Sequence, residues 1–262
     1  MKSHPWIRLF FYGGFAFLYI PIILTIAYSF NASKTSQWSG LSLQWYDRLF
    51  QHPDWWPAAF TSLKLALVSA TLAVIIGTTC AYLWIRPQGK QHRWLGMIST
   101  SPLFVPELVA GLSLLLLFSW SEQYFGWPGR GWFAIIVAHT TLGAAYVTYI
   151  VRSRLETVPN TLREAALDLG ARPSQVFFLI QLPIIAPSIV ASWLVAFILS
   201  FDDVVLVSFL AGPGITTLPS LIFSSIRVGY TPEINAMATC ITGVLSVLIL
   251  GAGYFLHQKD SS

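Results

Sequence analysis

The sequence predicts an all-α membrane protein with six transmembrane helices, and three observations carry that expectation. Of its 262 residues, 55% are hydrophobic and only 10% charged, whereas a soluble domain carries roughly a quarter charged residues. Six apolar runs, 7–30, 58–85, 94–120, 132–151, 184–211 and 234–257, reach the length of about 20 residues that a helical span needs. Basic residues also alternate in density between the connections. Lys2, Arg8, Arg86, Lys90, Arg93, Arg152, Arg154, Arg163, Arg172 and Lys259 make ten on one side; Lys34, Arg48, Lys64, Arg130 and Arg227 make five on the other. Lys and Arg are retained in cytoplasmic connections. Both termini and the connection 152–183 are therefore expected in the cytoplasm.

Taken in order, the first run has a basic start but is too long for a signal peptide, and no small-residue cleavage site follows it. It is expected to stay as the first span, so that 1–60 comprises this helix and an outer aromatic loop. That loop holds Trp38, Trp45, Tyr46, Trp55 and Trp56, a residue class that collects at the membrane–water boundary. Ser42 is placed to cap a short helix carrying Leu43, Tyr46, Leu49 and Phe50 on the outer leaflet. The helix serves either as an interfacial anchor or as a contact surface for another protein outside the cytoplasm. The basic stretch 86–93 reads as a loop held inside by its charge.

The third run contains Pro102 and Pro106, with Glu107 next to them about mid-run. Proline cannot donate the helical hydrogen bond, so an interrupted helix is expected. Such breaks are tolerated in a bilayer where they line a cavity or pack within protein. Glu107 suits either a lining position or the start of a new helix. The fourth run holds His139, read as a hydrogen-bonded packing residue because no cluster at metal-ligand spacing accompanies it. In the fifth run, read as one continuous helix, Asp202 and Asp203 point about 100° apart. Asp203 shares the face of Ser200 and is assigned to a solute path, with Asp202 paired to Lys64 or to another chain. After Gly212-Pro213-Gly214, the spacing of Leu218, Leu221, Ile222 and Ile226 predicts a short outer helix. Thr231-Pro232-Glu233 then opens the sixth run. Cys80 and Cys240 sit in apolar runs as packing thiols.

The stretch 164–183, EAALDLGARPSQVFFLIQLP, is charged and helix-favouring between apolar runs. Thr161 with Glu164 predicts a capping box, Gly170 a left-handed stop, and Pro173 the first turn of a second helix. Pro183 restarts the chain before the next run. The expected product is two short helices at a glycine corner, projecting from the membrane to dock into another molecule.

The spacing of Glu164-Ala165-Ala166, Gly170, Ile180 and Leu182-Pro183 resembles the EAA signature of permease subunits of type I ABC importers. The resemblance runs over about 61–256, taken as the transmembrane domain, with 152–183 as its coupling loop and 257–262 as a short tail. Stretches around Glu107 (PLFVPELVAGLSLLLLF), Asp202 (LSFDDVVLVSFLAGPGITTLP) and Glu233 (PEINAMAT) look like the putrescine/spermidine importers. The resemblance implies a multi-pass protein of the bacterial inner membrane. It also implies a second, distinct permease subunit, two copies of an ATPase subunit, and a periplasmic polyamine-binding protein. Glu164, Ala165, Ala166, Asp168, Gly170, Ala171, Ile180, Leu182 and Pro183 would meet the ATPase. ATP and Mg2+ would be held by that partner, and this chain would bind no cofactor.

The residues agree with that division of labour. No GxxxxGK[ST] loop, HExxH or GxSxG occurs, so neither ATP hydrolysis nor another enzyme activity is expected of this chain. A net charge of only +4 points to no nucleic-acid partner. A polyamine needs carboxylates along its path and aromatic faces for its ammonium groups. Glu107, Asp202 and Asp203, with Ser200 beside them, and Trp120, Tyr146 and Phe201 are the candidates. The alternatives are another small cation in the same machine, or an ATP-independent transporter or channel. Inverted repeats would support the last, and none stands out.

Overall fold

The computed structural model describes residues 5–35, 37–85, 89–228 and 232–260. These are almost entirely helical, and among them the only bridge between extended segments is the isolated antiparallel pair Asn31 and Leu41. Five helical segments are long and apolar enough to cross a membrane: Arg8–Ser29, Trp55–Trp84, Glu107–Phe125, Trp132–Leu155 and Pro173–Phe201. The sixth expected run lies within a further helix, Pro232–Asp260.

The chain divides into two compact units, residues 1–56 with 222–262, and residues 57–221. The first contains α1 (Pro5–Ser29), α2 (Gln44–Gln51) and α12 (Pro232–Asp260), with α12 packed against both others. The loop into α2 is built on Asn31. Its side chain accepts from the backbone N–H groups of Ser33 and Ser39 and donates to the carbonyl of Gln37. The Trp45 indole donates to the carbonyl of Asn31, and the Ser29 and Tyr46 hydroxyls meet at 2.7 Å. Ser42 accepts from the N–H of Gln44 at 3.1 Å, but α2 starts at Gln44 behind Leu43 without a side-chain cap, so Leu43 precedes the helix it was expected to join. Of the expected interfacial aromatics, Trp45 and Trp55 are buried while Trp38 and Trp56 stay exposed. Arg48 reaches Glu233 at 3.8 Å. Thr231 and 86–88 of the basic stretch lie outside the described residues, whereas Lys90 and Arg93 fall on α4.

The second unit runs α3 (Trp55–Trp84), α4 (Gly89–Thr100), a 3-10 turn (Ser101–Phe104), α5 (Glu107–Phe125) and α6 (Trp132–Leu155). It continues through α7 (Asn160–Asp168), α8 (Pro173–Gln175), a π turn (Val176–Gln181), α9 (Leu182–Phe201), α10 (Val205–Leu210) and the start of α11 (Leu218–Val228). Of the five spanning segments α6 is the most buried, and Ala134, Ala138, Gly143, Ala144 and Ala145 are among its buried positions. A Cβ on Gly77 of α3 would come within 2.6 Å of Val147, and one on Gly143 within 3.0 Å of Ala73. Four residues forward on each helix preserve the contact, so α3 and α6 run in the same direction. The Thr148 hydroxyl bonds both Ala144 and Gly77 carbonyls. Small residues let apolar helices approach this closely, which in lipid replaces the hydrophobic drive that water would supply.

One expectation about helix breaks is met and one is overturned. Pro102 and Pro106 do interrupt the third span, whose second half starts at Glu107. The fifth span is not one helix: α9 stops at Phe201 and α10 begins at Val205. No proline marks that break; Asp203 makes it by capping the new turn.

Candidate functional site

The two interruptions adjoin. Glu107 opens α5 and Asp203 precedes α10. One turn into α5, a Cβ on Gly111 would meet Phe209 of α10 at 2.7 Å. The two segments therefore advance side by side from neighbouring N-termini, over a core of Leu65, Phe118, Ile135, Leu206, Val207 and Leu210.

Asp203 is buried, and its carboxylate is fully used. Oδ1 accepts from the N–H of Val205 at 2.8 Å and of Leu206 at 3.2 Å. Oδ2 accepts from the N–H of Val207 at 3.2 Å and meets Nε2 of His139 at 2.7 Å. His139 Nδ1 lies 2.6 Å from the Ser200 hydroxyl. An ionised Asp203 accepts from Nε2–H of His139, and the other ring nitrogen is held by the Ser200 hydroxyl. Hydrogen bonds to a charged group contribute about 1.5–3 kcal/mol each. Four of them outweigh the roughly 2.5–3.5 kcal/mol that a mid-bilayer carboxylate costs on insertion scales. This acid is thus stabilised from within the chain.

Its neighbours are not. Asp202 is exposed, and among the described residues no ion pair joins it to Lys64 or any other cation. The expected Asp202–Lys64 pair does not form, because Asp202 lies at the end of α9, outside the capping geometry, and turns outward. Glu107 is exposed at the first position of α5. Asp203, expected on an open face with Ser200, is buried together with it behind His139.

The aromatic candidates separate. Phe201 stacks on Phe197 at 5.8 Å and 21°, and Phe197 on Trp193 at 5.3 Å and 15°. This ladder climbs α9 to Asp202, with the Trp193 indole donating to Thr71 at 3.2 Å. Trp120 sits about 20 Å along α5 from Glu107 by helical rise, in a cluster with Tyr124 and Phe125. Tyr146 is half-buried two turns along α6 from His139, on the same face. His139, Trp193 and Phe197 were not singled out by sequence reasoning as site residues. The i, i+4, i+8 spacing of Trp193, Phe197 and Phe201 was the available signal for the ladder. Nothing local marks His139, since its partners lie 61 and 64 residues away.

The charged loop forms a second surface. Gly170 has φ of +86°, and the N–H of Gly170 bonds Leu167 while that of Ala171 bonds Ala166, the paired closure of a Schellman motif. α7 starts at Asn160, behind Pro159, and makes no side-chain cap, so the expected Thr161–Glu164 capping box is absent. Pro159 already sets the backbone for the first turn. Glu164, Ala165 and Asp168 are exposed, as is Leu169, 90% open at the corner; Ala166 is buried and Ala171 half-buried. The second arm is not a separate stub. α8 leads through the π turn, with Ile180, into α9 with Leu182 and Pro183. The ring of Pro183 would collide with the carbonyl four residues back; widening to i→i+5 bonds, such as Leu182 N–H to Phe177 O, relieves it.

Interrupted spans around buried polar groups, with a helical corner at one end, define a membrane transport subunit. A family model described as binding-protein-dependent transport system inner membrane component matches residues 70–259, and the chain belongs to that family, as a multi-pass inner-membrane protein. It is 44% identical over 98% of its length to the putrescine transport system permease protein PotI of Escherichia coli K12, covering 92% of that protein. It is 37% identical to the spermidine/putrescine permease PotC of Haemophilus influenzae, covering 96% of each chain. Among solved structures, a bacterial ABC transporter that imports the acidic polysaccharide alginate aligns with a TM-score of 0.77. That alignment covers 96% of this chain and 94% of the other at 18% identity. A chain of the MetNI methionine ABC transporter gives 0.63, over 78% and 93%, also at 18%.

Proposed function

We propose that the chain is one permease subunit of an ATP-driven importer of polyamines, with its amine site at Asp202. The observation that carries this reading is an exposed carboxylate, with no cation paired to it among the described residues, at the end of a helix and at the head of an aromatic ladder. A helix C-terminus carries roughly half a negative charge, so the end of α9 adds to Asp202 and attracts an ammonium group. Phe201 offers a face for the adjoining methylenes and charge. Glu107, partly offset by the α5 N-terminus, is a second and weaker partner. Asp203 and His139 hold the break open rather than touch the amine. The relatives named for putrescine and spermidine transport support this substrate class.

The corner at Gly170 docks into a separate ATPase, two copies of which serve this chain and a distinct second permease. A periplasmic binding protein delivers the amine from the side opposite the corner, and both termini share the cytoplasm with the corner. The test is uptake of radiolabelled putrescine by cells carrying the complete importer. Asp202→Asn lowers uptake by about tenfold or more, the scale of one lost charge-assisted contact. Glu107→Gln lowers it less. Assembly and binding-protein affinity stay as in the wild type. Unchanged uptake in Asp202→Asn rejects the amine site.

A further inference from the structure

The cytoplasmic end of α3 carries two aromatic contacts that the amine site and the docking corner leave unexplained. Tyr82 lies against the π turn: its ring centroid is 4.2 Å from that of Phe177, and its hydroxyl donates to the Pro173 carbonyl at 3.5 Å. Trp84 lies against α6, with the Arg152 guanidinium 3.7 Å above its ring. Arg152 is held in place by Glu156, Nε to Oε1 at 2.7 Å. The Trp84 ring also fills the space beside Gly96 of α4, where a Cβ would come within 2.0 Å of it.

Residues two apart on a helix point about 200° apart. Tyr82 and Trp84 therefore leave opposite sides of α3. One grips the segment by which the chain leaves the docking loop; the other grips the last turn of α6, by which it enters. We propose that these two residues are positioning residues for coupling: they clasp the end of α3 between the two roots of the loop, so that displacement of the loop moves α3, α4 and α6 together. This inference rests on the loop being the ATPase dock. The π turn favours it, since such widened turns recur at functional sites. Without a lateral grip, motion of the corner would dissipate there instead of reaching the spans.

The test uses the complete importer in proteoliposomes, measuring putrescine taken up per ATP hydrolysed. Tyr82→Ala and Trp84→Ala are expected to retain the ATPase subunit and its hydrolysis while the ratio falls by about fivefold or more. Tyr82→Phe and Trp84→Phe, which keep a ring in place, restore it. A wild-type ratio in both alanine variants overturns the proposal, as does their loss from the membrane, which would leave the contacts a purely structural role. Failure of the docking reading is visible separately, as an ATPase that does not co-purify with the wild-type chain.

Discussion

Two adjacent aspartates do different work because one backbone break falls between their roles. Asp203 accepts three backbone N–H groups and an imidazole N–H, so Asp203→Asn turns an amide NH2 or a lone oxygen toward donors that need an acceptor. The loss expected is about 3 kcal/mol, the scale of breaking a buried pair. Thermal unfolding of the purified complex in detergent measures it, and Asp202→Asn should leave the midpoint within a degree or two by the small effect of exposed substitutions. Equal midpoints for the two variants would contradict the assignment. The pair itself was legible as two acids in an apolar run. Which of them faces outward was not, because a continuous helix puts Asp203 with Ser200 on an open face, whereas the real break turns both toward His139.

At the scale of elements, close approach is the organising constraint. A Cβ on Gly143 would come within 3.0 Å of Ala73 on α3 and 3.4 Å of Ala196 on α9, so Gly143→Leu forces three helices apart. Overpacking costs about 1–3 kcal/mol in a tight core, and reduced folded yield in membranes is the expected readout. Gly170 is the opposite case. Nothing lies within 4 Å of its missing Cβ, so bulk is accommodated and only φ of +86° resists substitution. Asn tolerates that region and β-branched residues do not. Co-purification of the ATPase should therefore fall in the order Gly170, Gly170→Asn, Gly170→Val. Equal retention of the ATPase by Gly170→Val and the wild type would show that the corner does not depend on its backbone shape. The glycine corner, Pro173 and the proline-broken third span were all legible, since Gly and Pro act through their own backbone. The continuity of α8 with α9 was not, because the π turn answers a clash set by Pro183 inside the helix.

For the whole molecule, orientation is the decisive property. Glu164→Cys should react with a membrane-impermeant maleimide only in inside-out vesicles, and Trp38→Cys only in intact spheroplasts. The reverse pattern would remove both the dock and the amine entry. Apolar length determined, by itself, that the chain is a helical membrane protein, and the distribution of lysine and arginine sets the expectation that the corner lies in the cytoplasm. They act locally, through transfer to lipid and through the charge of each connection. The EAA spacing likewise lies within one segment. Only the tertiary structure decided that Asp203 is satisfied by His139, that Asp202 is left facing outward, and that Tyr82 and Trp84 clasp the loop's two roots. Each of these depends on groups tens of residues apart arriving at one place, and no pattern along the chain encodes the distance between them.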